Sequence, residues 1–324
     1  MDKVIRIGTR DSQLAVWQAT WVQELLKEKG IASELVYIKS EGDIDLVTPL
    51  YEIGVQGIFT KTLDAALLSK KIDIAVHSMK DVPTQLAKGI RAAAVLKRAS
   101  HKDLLVYKED TTPEVVGFVN GEWSMVNNDS LTIHHSPFTI ATSSVRRKAQ
   151  WLNRYPHHRF DNLRGNVNTR LRKLEESNWQ GAIFAAAGLE RIGLRPEKSI
   201  ELDWMLPAPA QGAVMIVCRT EDETIFEQCH QLNHHNTAIC ATAERQFLRV
   251  LMGGCATPIS ALAEITGDEL ILKGNVLSLD GQQKIEVYKK APILKAEYIG
   301  TEAAKEVTEK GGAEIIRAIR NNGS

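Results

Sequence analysis

Short apolar segments alternate with amphipathic segments along the first part of the chain, and this alternation constrains the fold more than any other feature. Residues 4–8, 35–38 and 72–76 are apolar and rich in β-branched side chains, as is typical of buried strands. Between them, residues 14–25 and 60–68 place apolar side chains at helical spacing. Strands that alternate with helices in this way pair in parallel, with the helices on the faces of the sheet. The sequence therefore predicts an α/β fold with a parallel sheet.

The same alternation returns from residue 139 and predicts a second α/β unit. Its strand patterns are 139–141, 160–163 and 182–186, and its helical patterns are 144–153 and 167–175. A further strand pattern at 214–217 is expected to return to the first sheet. Residues 108–137 interrupt the alternation without a sustained period of either kind. They predict a surface insertion, with a hairpin through 118–119 and 123–126.

The last part of the chain predicts a small third α/β unit. A helical pattern at 237–251 precedes antiparallel strand patterns at 259–265, 269–279 and 284–289. Asp280-Gly281 is a strong hairpin-turn dipeptide between the last two strands. The predicted domains are residues 1–100 together with about 213–232, residues 101–212, and residues 233–324.

Charge and composition exclude several functional classes. Forty Lys and Arg balance forty Asp and Glu, so any basic site must be local rather than a property of the whole chain. No apolar run approaches the roughly 18 residues of a membrane span, and the first residues lack a signal-peptide pattern, so we expect a cytoplasmic protein. The phosphate-binding patterns G-x-x-x-x-G-K-[ST] and G-x-G-x-x-G do not occur. The cations are not interleaved with aromatic residues, which argues against nucleic acid.

The four cysteines fall into two kinds. They form no C-x-x-C pair and have no histidine at zinc spacing, so neither a metal site nor a disulfide framework is predicted. Cys218, Cys229 and Cys240 lie in apolar or helical contexts and are expected to be buried. Cys255 follows two glycines and precedes a proline three residues later, which predicts a tight, exposed loop. A thiol in that setting is a candidate nucleophile or attachment point, with an inert loop cysteine as the alternative.

The clearest local anomaly is a concentration of cations between residues 142 and 173. Nine arginines and lysines stand there against one acid, Asp161. The candidate residues at or just after the predicted strand-to-helix turns are Thr142, Ser143, Ser144, Arg146, Arg147, Arg164, Gly165 and Arg170. Such turns offer free backbone N–H groups, and arginine binds carboxylates and phosphates through two parallel hydrogen bonds. The pattern predicts an anion site, and the alternative is a solvated basic face.

The first unit offers a second group of polar residues where its strands end. Arg10 and Ser12 follow the first strand pattern, Lys61 lies near the start of the second helix, and Lys80 and Asp81 follow the third strand. In open α/β sheets, ligands bind at the carboxyl ends of the strands. We therefore expect Asp81 to present an ionised carboxylate to a cleft with two basic walls. Taken singly, residues such as Arg10, Ser12 and Lys61 are more often helix caps or solvated surface charges.

Several separate stretches of the chain resemble one family, the porphobilinogen deaminases (hydroxymethylbilane synthases) of tetrapyrrole and heme biosynthesis. The matching stretches are TRDSQLA at 9–15, HSMKDVP at 77–83, TSSVRR at 142–147, LRGNV at 163–167 with Arg170, PAPAQGA at 207–213 and GGCATP at 253–258. They follow the order of the family, which coincidence does not explain. Two positions depart from its pattern: Gln56 stands where many members have lysine, and Ala210 replaces the usual glycine before Gln211.

The resemblance implies a fold and a reaction. The implied fold has two periplasmic-binding-protein-like (type II) α/β domains around a cleft, plus a small α/β third domain with an antiparallel three-stranded sheet. The implied reaction is a transfer that joins four porphobilinogen molecules into linear hydroxymethylbilane. It would proceed on one dipyrromethane cofactor per chain, bound covalently to Cys255 as a thioether. No metal, nucleic acid or membrane is implied, and we expect a monomer.

The resemblance also implies roles for individual residues. Asp81 would lie near the pyrrole N–H groups and stabilise the cation that forms when ammonia leaves porphobilinogen. The residues implied to bind cofactor and substrate carboxylates are Arg10, Ser12, Lys61, Lys80, Thr142, Ser143, Ser144, Arg146, Arg147, Arg164, Gly165, Arg170 and Gln211. Two other hypotheses remain: a binding protein that uses the same clamp without chemistry, and a cysteine-linked acyl or thiol transferase.

Overall fold

The computed structural model describes residues 4–39, 60–108, 118–119, 122–123, 138–251 and 257–321. Gln56 and Cys255 lie outside the described residues. The strands are Ile5–Thr9 (β1), Ser33–Tyr37 (β2), Ile74–Ser78 (β3), Ile90–Val95 (β4), Asp103–Tyr107 (β5), Phe118–Val119 (β6), Glu122–Trp123 (β7), Thr139–Ala141 (β8), Arg159–Asp161 (β9), Gly181–Ala185 (β10), Ser199–Glu201 (β11), Val214–Arg219 (β12), Ile259–Thr266 (β13), Glu269–Leu277 (β14) and Lys284–Pro292 (β15). The helices are Gln13–Glu28 (α1), Lys61–Leu68 (α2), Val145–Arg154 (α3), Val167–Glu176 (α4), Ala186–Glu190 (α5), Glu223–His230 (α6), His235–Val250 (α7), Ile299–Val307 (α8) and Ala313–Asn321 (α9).

The first sheet has the strand order β2-β1-β3-β12-β4. β1 pairs in parallel with β2 and β3, as the alternation predicts, and β12 inserts between β3 and β4. The predicted return of the 214–217 strand to this sheet is confirmed, and β12 runs antiparallel to both neighbours. The chain re-enters this sheet from the second sheet rather than through a helical crossover, so the parallel rule for βαβ units does not apply. Helices pack on both faces, and every residue of β12 is buried.

The second sheet has the order β11-β5-β10-β8-β9. β8 pairs in parallel with both β10 and β9. β5 pairs in antiparallel orientation with both β10 and β11. Helices α3 and α4 flank the sheet, and α3 buries Trp151 completely. The helix α5 and the strand β11 are absent from the sequence-based prediction, since segments of five and three residues are too short to show a period.

The third sheet has the antiparallel order β13-β14-β15 and packs against α7 and α8 around the buried Phe247. The predicted turn at Gly281 joins β14 to β15, and β6 pairs with β7 in an antiparallel hairpin. The predicted fold class, two type II α/β units with a small α/β third unit, is confirmed. Cys218, Cys229 and Cys240 are free and buried, as predicted. None of the described helices is long and apolar enough to cross a membrane.

Candidate active site

A cavity of about 220 Å³ lies between the first and second sheets. Of the predicted site residues, those that line it are Arg10, Ser12, Lys80, Arg147, Arg164, Gly165 and Arg170. Arg10 and Ser12 follow β1 and Lys80 follows β3, whereas the others lie on α3 or at the start of α4. The structure therefore brings residues from both predicted walls to one cavity, at the ends of strands where α/β folds bind ligands.

Two helix N-termini meet at this cavity. Ser12 immediately precedes α1, and Asn166 precedes α4 and accepts a hydrogen bond from the Thr169 backbone N–H at 2.9 Å. Across the cavity, Asn168 Nδ2 donates to Gln13 Oε1 at 2.9 Å, which links the first turns of the two helices. Helix N-termini carry partial positive charge and unpaired N–H groups, so both ends favour an anionic ligand.

A fully buried carboxylate, Asp103 at the start of β5, anchors the arginine pair of α3. Its Oδ2 accepts from Arg146 Nη2 at 2.8 Å, and its Oδ1 accepts from Arg147 Nη2 at 2.8 Å and Nε at 3.1 Å. Burial alone would favour the neutral acid. The two guanidiniums outweigh it and hold the pKa of Asp103 well below its usual range. Asp103 is thus an ionised, buried counter-charge next to Arg147, which lines the cavity.

Gln211 connects this network to the first wall. Its Nε2 donates to Asp103 Oδ1 at 2.9 Å and to the His101 carbonyl at 2.8 Å. Lys80 Nζ in turn donates to Gln211 Oε1 at 3.3 Å. A hydrogen-bonded path therefore runs from Lys80 through Gln211 to Asp103 and Arg147. Gln211 itself is buried and does not line the cavity.

The other predicted residues lie away from the cavity surface. Arg146 is buried and also donates to the Leu206 carbonyl at 2.7 Å. Ser143 Oγ donates to the Leu163 carbonyl at 2.8 Å, and Ser144 caps α3 by accepting from the Arg147 backbone N–H. Thr142 is buried and Lys61 is exposed at the start of α2. Their roles in carboxylate binding stay predictions.

Asp81 ends a short 3₁₀ turn, Met79–Asp81, that directly follows β3. Its side chain is exposed and its carboxylate interacts electrostatically with cations of both walls. Burial lowers the pKa of Lys80 to about 8, and Asp81 counteracts part of that fall. Burial and Arg147 lower the pKa of Arg170 to about 10, and Asp81 again acts in the opposite direction. Asp81 does not line the cavity, although the neighbouring Lys80 does, so its place at the reacting groups stays a prediction.

Sequence reasoning missed Arg191 and Asp103. Arg191 lines the cavity, donates to the Gly212 carbonyl at 2.7 Å and stacks over Trp17 with 5.7 Å to the ring centre. It follows α5, which is too short to show a helical period in the sequence. Asp103 lies more than 40 residues from its arginine partners, so nothing local in the sequence points to their contact.

The residues present fit a dipyrromethane cofactor. Burial lowers the pKa of Lys80, Arg170 and Arg191, so a ligand carboxylate close to any of them would stabilise its charged form. A ligand with several carboxylates would supply that negative charge. The lining cations Arg10, Arg147 and Arg164 and the two helix N-termini have the chemistry to bind it.

The fold and the cavity define a two-walled α/β protein with a cation-lined cavity between its first two sheets. Two family models match the chain: "Porphobilinogen deaminase, dipyromethane cofactor binding domain" over residues 5–227, and "Porphobilinogen deaminase, C-terminal domain" over residues 238–309. The chain belongs to the porphobilinogen deaminase family. It is accordingly a transferase of tetrapyrrole biosynthesis with a dipyrromethane-cofactor-binding domain.

Curated relatives agree with this assignment. Porphobilinogen deaminase from Nostoc sp. is 39% identical over 321 residues, which span 98% of this chain and 95% of the relative. That from Trichlorobacter lovleyi is 38% identical over 321 residues, which span 98% of this chain and 97% of the relative. Among solved structures, the methionine binding protein MetQ aligns with a TM-score of 0.41 at 14% identity, over 70% of this chain and 89% of MetQ.

Proposed function

We propose that this chain condenses four porphobilinogen molecules into linear hydroxymethylbilane, with Asp81 as the catalytic carboxylate and Cys255 as the cofactor attachment point. The observation that carries the proposal is the position of Asp81. Asp81 ends the turn after β3 and directly follows Lys80, which lines the cavity, and it opposes the fall in the pKa of Lys80 on the first wall and of Arg170 on the second.

Substrate binding would rest on the lining cations. Porphobilinogen carries one acetate and one propionate group, and each needs a counter-charge when it leaves water. Arg10 and Lys80 would hold carboxylates from one side, and Arg147, Arg164 and Arg170 from the other. Asp103 fixes the guanidinium of Arg147 through two of its nitrogens, so that the guanidinium is oriented before the substrate arrives. The other residues that the family resemblance implies would bind carboxylates beside these five cations or would hold the cations in place.

Asp81 would stabilise developing positive charge. When the protonated amino group of porphobilinogen leaves as ammonia, the C–N electron pair departs with the nitrogen, and the remaining methylene carbon and pyrrole ring become cationic. A carboxylate already placed at that ring lowers the barrier, and the effect is larger in a partly dehydrated cleft than in water. Asp81 would also accept the proton released when the new carbon–carbon bond forms. The dipyrromethane, when bound, supplies the pyrrole carbon at which the chain grows.

Cys255 is proposed as the attachment point on the basis of its sequence context. The Gly-Gly-Cys segment lies between the end of α7 and the start of β13, in the part of the chain matched by the C-terminal family model. The domain boundaries stay proposals as well: 1–100 with about 213–232, 101–212 and 233–324. They are supported by the return of β12 to the first sheet and by the separate core of the third sheet.

We also propose that the protein acts as a monomer in the cytoplasm and takes a small molecule rather than a nucleic acid. The size of the cavity supports the small-molecule substrate. Light scattering of the purified protein tests the oligomeric state, since a dimer would double the mass. Cell fractionation tests the location, and protein in an exported fraction would contradict it.

The experiment that tests the catalytic proposal is Asp81→Asn. We expect the purified variant to retain a covalent pyrrolic adduct but to consume porphobilinogen about 100-fold or more slowly, because the amide cannot stabilise a cation or accept its proton. Asp268→Asn is the matched control, since it removes the same charge from the exposed β13–β14 turn. Near-normal turnover in Asp81→Asn would remove Asp81 from its catalytic role.

A further inference from the structure

The β14–β15 turn of the third sheet is seated on α3, the helix that carries the arginine pair. Asn153 Nδ2 donates to the Gly281 carbonyl at 2.7 Å. Gly281 is buried with φ +73°, and a Cβ atom there would lie 2.5 Å from the Ala149 carbonyl oxygen and 2.5 Å from the Asn153 backbone nitrogen. Those atoms belong to the helix backbone and cannot move aside independently. Only glycine fits this contact.

A second contact lies one helical turn away on the same face of α3. Gln150 Nε2 donates to Ser260 Oγ at 3.1 Å and to the Leu206 carbonyl at 2.9 Å, and Gln150 and Ser260 are both buried. The same Leu206 carbonyl accepts from Arg146 at 2.7 Å. Hydrogen bonds therefore connect the start of β13 to the arginine pair through Gln150 and Leu206.

These two contacts join the third sheet to α3. The proposed function requires these two parts of the chain to keep a fixed position relative to each other. Ser260 lies five positions after Cys255 in the chain, while Arg146 and Arg147 lie at the other end of α3. Contacts at Gln150 and Asn153, three residues apart, resist both rotation and translation of the helix relative to the third sheet.

We propose that the Gly281 turn and Gln150 are positioning elements that fix the arginine helix against the sheet from which the Cys255 segment extends. The proposal rests on the proposed function for its consequence, which is efficient cofactor loading and substrate binding. The docking of the turn on α3, by contrast, is argued from the contacts alone and does not depend on the proposed function.

The test compares Gly281→Ala with a matched control, Gly267→Ala. Gly267 has φ +60° in the β13–β14 turn, but nothing lies within 4 Å of a Cβ placed there. Both variants carry the same left-handed backbone strain, and only Gly281→Ala displaces the docked turn. Asn153→Ala serves as a milder variant that removes one hydrogen bond and keeps the turn intact.

We expect amide hydrogen exchange over α3 to rise about tenfold in Gly281→Ala relative to Gly267→Ala, because the overpacked contact opens more often. We also expect a smaller fraction of chains with the covalent adduct, by intact mass, and a higher KM for porphobilinogen with little change in kcat of the loaded enzyme. A purely structural defect would lower the amount of active enzyme and leave KM unchanged.

Exchange over α3, adduct fraction and KM that match those of Gly267→Ala would overturn the proposal. If Gly281→Ala does not fold, Asn153→Ala decides, and exchange over α3 equal to that of the unsubstituted protein would overturn it. An unsubstituted protein without adduct would instead contradict the proposed function, since the exchange measurement does not depend on the cofactor.

Discussion

Replacing Asp103 by asparagine tests the buried arginine network most severely. The substitution keeps the shape of the side chain but removes the charge that compensates Arg146 and Arg147, both of which are buried. Leaving a buried charge without its partner typically costs about 3–5 kcal/mol. For a protein of this size the midpoint of thermal unfolding should fall by about 4–7 °C. Arg147 should also lose its orientation, so the fraction of chains with a pyrrolic adduct should fall.

The dependence on pH gives this prediction a second check. Because the folded-state pKa of Asp103 is depressed, its contribution is fully present above the unfolded pKa of about 3.9 and is lost as pH falls through the lower folded-state value. The difference between the variant and the unsubstituted protein should therefore be constant from about pH 5 to 8 and shrink in stronger acid.

The control for Asp103→Asn is Asp203→Asn, which breaks an ion pair between Lys102 and a carboxylate that is 73% exposed. Exposed pairs contribute at most about 1 kcal/mol, so its midpoint should hardly move. Equal midpoints for the two variants would refute the reasoning, because they would show that the buried arginines do not need the Asp103 charge.

Two further predictions concern Lys80 and Ala210. Because the pKa of Lys80 is about 8, porphobilinogen binding should weaken as pH rises through that value. Lys80→Arg should remove this dependence from a profile of KM against pH. An unchanged profile in the variant would exclude Lys80 as the titrating group. Ala210 has φ +62°, a left-handed conformation that favours glycine, so Ala210→Gly should raise the unfolding midpoint slightly while Ala208→Gly lowers it. Equal losses in the two variants would show that Ala210 is not strained.

The strands and helices were predictable where the pattern was local and long. The helix α1 shows several turns of apolar spacing, and Gly281 lies in the turn that Asp280-Gly281 predicts. The third strand was placed two residues too early, at 72–76 rather than Ile74–Ser78. In the structure it continues through His77, because pairing with β12 on one side buries this polar residue, which a sequence pattern assigns to a loop.

Part of the cavity lining was predictable because some of its residues belong to local sequence patterns. Arg10, Arg164 and Gly165 lie at strand-to-helix turns, which a sequence reveals directly. The sequence could not show which of Arg146 and Arg147 lines the cavity, because the two residues differ only in their three-dimensional surroundings. Both arginines donate to Asp103, but Arg147 lines the cavity, whereas Arg146 does not line it and also donates to the Leu206 carbonyl. Long-range contacts of this kind leave no local signal.

Intact mass spectrometry of the purified protein tests the proposed attachment of a dipyrromethane to Cys255. We expect a mass above that of the sequence by one two-ring pyrrolic adduct, and a positive aldehyde colour test for pyrroles. Cys255→Ser, which removes the sulfur, should have the mass of its own sequence and give no colour. An unsubstituted protein at its sequence mass with no colour, or an adduct that persists in Cys255→Ser, would contradict the account.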